Sequence, residues 1–170
     1  FNKIRVVLAE PNSDLRAELK GELEAWGMQN VVATGNMASI IATVEAAEVD
    51  LIIADAALPE GCFNTFVKEL RFGLHGQNPF LAVVTMVSNP NRQVVNRAIN
   101  SGTDHVLAKP FASNDLLERI SDLIHARKRF AVTADYIGPD RRTTHREGTM
   151  NLTLVDVPNP LRLRAGGAGN

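Results

Sequence analysis

The sequence predicts an α/β fold: a doubly wound, five-stranded parallel sheet with helices on both faces, followed by a mostly irregular C-terminal tail. Three observations carry this expectation. Over residues 1–126, short apolar runs rich in β-branched residues alternate with longer amphipathic stretches, the rhythm of repeated βα units. The first, third and fourth apolar runs are almost continuously hydrophobic, as strands buried on both faces are. The chain has 170 residues, 45% hydrophobic and 22% charged, which suits one domain with an appendage and is too apolar for a disordered class.

Taken in order, strands are expected over 5–9, 30–33, 51–54, 81–85 and 106–108. The first helix is expected over 13–26, where Leu15, Leu19, Leu23 and Trp26 recur at helical spacing. Asn12 or Ser13 supplies its cap, Asp14 suits the positive end of the helix dipole, and Gly27 closes it. Four more helices are expected over 37–47, 64–72, 91–101 and 113–129, with Gly73 and Gly102 in stop positions and Ser113 as a cap. Trp26, Phe66, Phe72 and Phe111 read as core. After Arg129 the pattern changes: Gly138-Pro139, Pro158, Pro160 and the ending AGGAGN interrupt it, and only 152–157 alternates like a strand. The expected division is a domain over 1–129 and an extension over 130–170. The extension has too few large apolar residues to fold alone, so its ordered parts must pack on the body or on a second copy, leaving 165–170 flexible.

The net charge of −1 conceals an asymmetry. Residues 1–126 hold 10 Lys/Arg against 15 Asp/Glu, a balance of −5, and residues 127–170 hold 8 against 4, a balance of +4. A basic tail can bind nucleic acid or fold back on an acidic body; with only Phe130 and Tyr136 to stack bases, nucleic acid is the disfavoured partner. A homodimer through the tail is one closed assembly open to such a chain. No apolar run reaches the roughly 20 residues that span a bilayer, and the one cysteine, Cys62, forms neither an internal disulfide nor a metal cluster, so a cytoplasmic location without membrane insertion is expected. The chain starts at Phe1 rather than Met, which points to a trimmed or processed N-terminus. His75, His105, His125 and His145 are scattered without metal-ligand spacing and read as surface residues.

In open parallel sheets, ligands bind beyond the carboxyl ends of the strands. The residues ending four predicted strands are Glu10, Asp55, Thr85 and Lys109. Each alone is as well explained as a cap or loop residue. Together, a carboxylate nucleophile, a second acid suited to a hard cation, a hydroxyl and an ammonium are what is needed to accept and hold a phosphoryl group on Asp55. There is no Walker loop and no GxGxxG sequence, which argues against a nucleotide-binding relative.

Over residues 3–126 the sequence resembles the receiver domain of bacterial two-component response regulators, of the stand-alone, chemotaxis type. The resemblance lies in DLIIADAALPEG around Asp55 and Pro59, in LAVVT ending at Thr85, and in AINSGTDHVLAKPFASNDLLERI with its Lys109-Pro110-Phe111. It implies Asp55 as phospho-acceptor, Thr85 and Lys109 as phosphoryl contacts, and a cis Lys109–Pro110 peptide. It further implies Mg²⁺ on Glu10, Asp55 and the Ala57 carbonyl, a switch of Thr85 with position 106, and a histidine kinase or phosphotransfer protein as donor acting on a downstream protein target. Turnover is not expected, since aspartyl phosphatases generally need a second Asp where Ala57 stands.

Three departures bear on these roles. The usual pair of acids has become Glu10-Pro11, which should weaken Mg²⁺. Met86 stands where a small residue is usual beside the phosphoryl group, and the switch position is Val106 rather than an aromatic. A pseudo-receiver that acts as a phosphorylation-independent interaction module is therefore the alternative reading. In the tail, Tyr136, Ile137 and Pro139 are expected to anchor on the body while Arg141, Arg142 and Arg146 pair with carboxylates. Arg142 and Arg146 also resemble the Arg-x-x-x-Arg arm of PilZ-type cyclic-dinucleotide receptors, but the barrel that should follow does not fit in the 24 remaining residues. No helix-turn-helix follows residue 129, so direct transcriptional control is not expected.

Overall fold

The computed structural model describes residues 1–141 and 153–166. In chain order the elements of the body are β1 (Arg5–Ala9), α1 (Ser13–Ala25), β2 (Asn30–Thr34), α2 (Met37–Ala46), β3 (Leu51–Asp55), α3 (Phe63–Arg71), β4 (Ala82–Val87), α4 (Arg92–Ser101), β5 (His105–Ala108) and α5 (Ser113–Ala126). The five strands form one parallel sheet in the order β2-β1-β3-β4-β5. Two apolar layers sandwich it. One joins Leu8, Ile53, Val84 and Met86 to Leu19 and Leu23 of α1 and to Leu116 and Ile120 of α5. The other joins Val7, Ile52 and Val83 to Met37 and Ile40 of α2 and to Phe66, Val67 and Leu70 of α3. Strands buried on both faces explain why their sequences are hydrophobic without alternation.

The caps follow the expected chemistry with one exception. Asn12 accepts from the amides of Asp14 and Leu15, both at 3.0 Å, and Gly27 and Gly102 take positive φ at the ends of α1 and α4. At α5 the cap position is Ala112, whose amide donates to Asp115 at 2.9 Å, while Ser113 instead hydrogen-bonds Glu22. β4 continues to Val87, beyond the expected end, because Met86 pairs with both Asp55 and Leu107. α5 stops at Ala126 rather than 129: Arg127 leaves the helical region with φ −56 and ψ 130. Phe66 is buried and Trp26 and Phe111 pack on the first layer, but Phe72, at the end of α3, is exposed.

The described residues of the tail carry regular elements that its composition does not suggest. β6 (Phe130–Val132), β7 (Ile137–Pro139) and β8 (Thr153–Val155) form a second, antiparallel sheet in the order β7-β6-β8, and a short helix, α6 (Pro160–Arg164), follows. Pro139 is tolerated because β7 is an edge strand. Strands of three residues lie below the length at which alternation can be read, which is why β6 and β7 were not foreseen. Leu161 is wholly buried in the first layer and Ala165 packs against it, so the expected flexibility does not extend to Ala165. Asn159 donates to the Leu123 carbonyl at 2.7 Å, satisfying the end of α5, and caps α6 by accepting from Arg162.

A buried ionic cluster ties the tail to the body. Asp104 pairs with Arg71 at 3.0 Å and with Arg127 at 2.8 Å, and all three side chains are at most 3% exposed. Arg71 also donates to the carbonyls of Pro79, Leu81 and Gly102, and Arg127 to those of Phe80 and Pro158. Both guanidiniums lie over the Phe130 ring, 5.2 and 4.9 Å from its centroid, and Phe80 meets the same ring edge-on. Burial pushes the Arg71 guanidinium down to about 10, Asp104 opposing, which still leaves it charged at neutral pH. Arg164 of α6 reaches Glu48 at 3.0 Å and Asp50 at 3.5 Å. The contacts at Asp50, Leu81 and Asp104 lie at or just before the amino ends of β3, β4 and β5, so the tail covers the pole of the sheet opposite the strand carboxyl ends.

Candidate functional site

The site is assembled by sheet register. β1 and β3 are neighbours with Ala9 opposite Ala54, so the next residues, Glu10 and Asp55, emerge side by side. Lys109 follows β5, its amide donating to Val87 at 2.8 Å, and the Lys109–Pro110 peptide is cis. Its side chain crosses the end of β4, and its Nζ hydrogen-bonds both the Glu10 and the Asp55 carboxylate. The Glu10 and Asp55 side chains are 2% and 3% exposed and that of Lys109 16%, so three charges share a site largely closed to water. Burial opposes the charge on Lys109, yet the two carboxylates outweigh it and hold the ammonium above the ordinary lysine value. The second oxygen of Glu10 accepts from the Asn12 amide at 3.0 Å, and that of Asp55 from the Ala57 amide at 2.6 Å. Every oxygen of the two acids thus has a partner.

Beside Asp55 lies an open cleft of about 230 Å³ whose wall includes Ala57, Asn64, Ser88 and Arg97. Met86 does not line it. Its side chain is wholly buried in the α1/α5 layer, where it packs as core rather than facing the cleft. Thr85 is also wholly buried, one register step from Asp55 and opposite Ala54 and Val106; its hydroxyl donates to Thr103 at 2.9 Å. Val106 is half-buried in β5. Exposed Cys62, at the start of α3, has its thiol held below the usual cysteine value by hydrogen bonding to Thr65.

For a divalent cation the available donors are the carboxylates of Glu10 and Asp55 and the backbone carbonyl of Ala57, all hard oxygens. Pro11, in the position of the second acid, contributes none. Mg²⁺ commonly uses one or two carboxylates and keeps its remaining waters, so the set fits the ion with less charge than a two-acid pair beside Asp55 would give. Among the described residues no cluster of three or more His, Cys, Asp or Glu side chains exists that could hold a metal by side chains alone.

In the tail, Tyr136 donates to Pro139 at 3.0 Å and accepts from Arg141 at 2.9 Å, and the Arg141 guanidinium lies 3.9 Å from the centroid of its ring. Arg141 also donates to the Asn100 side chain. Arg142 and Arg146 lie outside the described residues, as do Leu152 and His145. Among the described residues from 127 on, Arg127 pairs with Asp104 and Arg164 with Glu48 and Asp50. Sequence reasoning missed these two arginines, together with Arg71, Asp104, Thr103 and Phe130; the opposed charges of body and tail were the available signal. His75 is not a free surface residue either: it lies 3.2 Å from Glu45 and 3.1 Å from Glu69.

Glu10, Asp55 and Lys109 thus converge at the carboxyl ends of a β2-β1-β3-β4-β5 sheet. The model of the response regulator receiver domain matches residues 6–121, and the chain belongs to that family. Among curated proteins it is 28% identical over 149 residues to the KDP operon transcriptional regulatory protein KdpE of Escherichia coli K12, covering 86% of this chain and 60% of that protein. It is 27% identical over 144 residues to the transcriptional regulatory protein YxdJ of Bacillus subtilis, with 81% and 59% covered. The chain thus spans about 60% of the length of these relatives. Among solved structures, the chemotaxis response regulator CheY4 of Vibrio cholerae matches with a TM-score of 0.62 at 21% identity, over 69% of this chain and 96% of that one. The receiver domain of the sensor histidine kinase PA1611 of Pseudomonas aeruginosa, described with magnesium coordinated in its active-site cleft, matches with a TM-score of 0.60 at 20% identity, over 68% and 92%. These likenesses establish the fold. No helix among the described residues is long and apolar enough to cross a membrane.

Proposed function

We propose that the chain accepts a phosphoryl group on Asp55 from a histidine kinase or phosphotransfer protein and signals by protein contact in the cytoplasm, as a receiver over 1–129 with an extension over 130–170. The observation that carries this reading is the convergence of Glu10, Asp55 and Lys109, from three different strand ends, in one nearly closed site. An Asp55 oxygen attacks phosphorus, the bond from phosphorus to the donor's imidazole nitrogen breaks as the new O–P bond forms, and the imidazole leaves. Lys109 balances charge on the acyl phosphate, and Thr85 is the hydroxyl one register step away. Glu10, Asp55 and the Ala57 carbonyl would hold Mg²⁺, which when bound neutralises charge on the phosphoryl oxygens. Incubation with Mg²⁺ and acetyl phosphate, read by intact mass, tests the reading. Wild type is expected to gain one phosphoryl group and Asp55→Asn none; an unmodified wild type at millimolar Mg²⁺ overturns it.

A second reading, a pseudo-receiver that never carries phosphate, is favoured by one observation: Glu10 and Asp55 already have all their oxygens partnered, two of them by Lys109, while Pro11 removes a ligand. The same mass measurement separates the two.

A further inference from the structure

Thr85 has a single hydroxyl proton, and here it is given to Thr103 at 2.9 Å. Thr103 is 5% exposed and sits between Gly102 and Asp104 in the segment joining α4 to β5. Its own hydroxyl lies 3.0 Å from the Val83 carbonyl and 3.1 Å from that of His105. The residues on either side of it meet Arg71 of α3, Arg127 and the backbone of β7. The Gly102 carbonyl accepts from Arg71 at 2.9 Å, and its backbone runs so close to β7 that a Cβ at Gly102 would stand 2.5 Å from the Ile137 carbonyl oxygen. Asp104 carries the ion pairs to Arg71 and Arg127, whose guanidiniums lie over Phe130. Three consecutive residues therefore connect the hydroxyl beside the phosphorylation site to the anchor of the extension at the other pole of the sheet.

A phosphoryl group on Asp55 places a dianion one register step from Thr85. A hydroxyl bond to a charged acceptor is roughly twice as strong as one between two neutral hydroxyls, so the single proton of Thr85 passes from Thr103 to the phosphoryl oxygen. Thr103 then loses a partner while buried, and the restraint on 102–104 weakens. Val106, which pairs with Thr85, has no ring to move in response. We propose that Thr103 is the positioning residue that couples Thr85 to the docked extension, so that phosphorylation of Asp55 is read out as loosening of residues 130–140. This rests on the phosphoryl-acceptor reading above.

The test is amide exchange of peptides covering 130–140 in the full chain, with and without Mg²⁺ and acetyl phosphate, with modification of Asp55 followed in parallel by intact mass. In wild type, exchange rises about three- to tenfold on modification, the scale of one buried hydrogen bond. Thr103→Val is modified equally, starts from the raised exchange rate and shows no further rise. Thr103→Ser restores the wild-type response, which a role in packing alone would not bring about. A modified wild type whose tail exchange is unchanged, or a Thr103→Val variant that responds like wild type, overturns the coupling while leaving the acceptor reading intact. A wild type without added mass overturns the acceptor reading and the coupling with it.

Discussion

Asp104→Asn is the substitution whose cost the structure defines most sharply. The carboxylate serves two guanidiniums at 2.8 and 3.0 Å and also accepts from the Val83 amide at 2.9 Å. An asparagine fills the same space and keeps one acceptor oxygen, so packing is preserved and the electrostatic term is isolated. Arg71 and Arg127 are 0% and 3% exposed and cannot recover hydration in place. Removing one partner from a buried ion pair costs about 3–5 kcal/mol because a charge is left uncompensated. For a chain of this size about 4 kcal/mol lowers the melting temperature by roughly 8–16 °C. The control is Asp156→Asn, which breaks the Arg129 pair at 3.1 Å where the partners are 55% and 84% exposed. Solvent screening there limits the loss to under about 0.5 kcal/mol. Urea unfolding of both variants, with the slope m checked for constancy, decides the matter. A loss for Asp104→Asn within about 1 kcal/mol of the Asp156 control refutes the claim that this cluster anchors the tail.

Gly138→Ala should destabilise by about 1–3 kcal/mol, since its Cβ would meet the Tyr136 hydroxyl at 2.5 Å and the Gly102 Cα at 2.7 Å. Gly21→Ala, in α1 with nothing within 4 Å, should instead stabilise by about 0.5–1 kcal/mol, and a shared direction in urea midpoints would contradict the close approach of β7 to α4. Burial holds the His105 imidazole below its ordinary value of 6.5, with Asp104 opposing, so the unfolded chain takes up the proton first as pH falls. Stability therefore declines as pH drops below 6.5, and His105→Gln should flatten that slope in unfolding measured between about pH 7.5 and about pH 5.5; parallel profiles would count against it. Pro11→Asp adds a carboxylate oxygen beside Glu10 and should tighten Mg²⁺ about tenfold by calorimetry, whereas equal affinities would mean that Glu10 and Asp55 already suffice.

The five parallel strands, their helices and the polar residues at their carboxyl ends were legible in the sequence because each depends on local pattern. β3 is buried along its whole length and reads LIIAD, and a residue that ends such a strand is bound to face the ligand-binding pole. Asp55 and Lys109 are 54 positions apart, but strand order alone brings them together. What the sequence left undecided were features that depend on long-range partners. Nothing local to Met86 says whether it faces the cleft or the core; the pleat and the α1/α5 layer decide that it is core. Arg71 closes an otherwise apolar stripe on α3, and only the arrival of Asp104, Arg127 and Phe130 from three other segments makes its burial affordable. The strands of the extension are too short to stand alone in water. They form because the folded body holds Phe130 under the Arg71 and Arg127 guanidiniums and takes Leu161 into its first apolar layer, and those surfaces exist only once the body has folded.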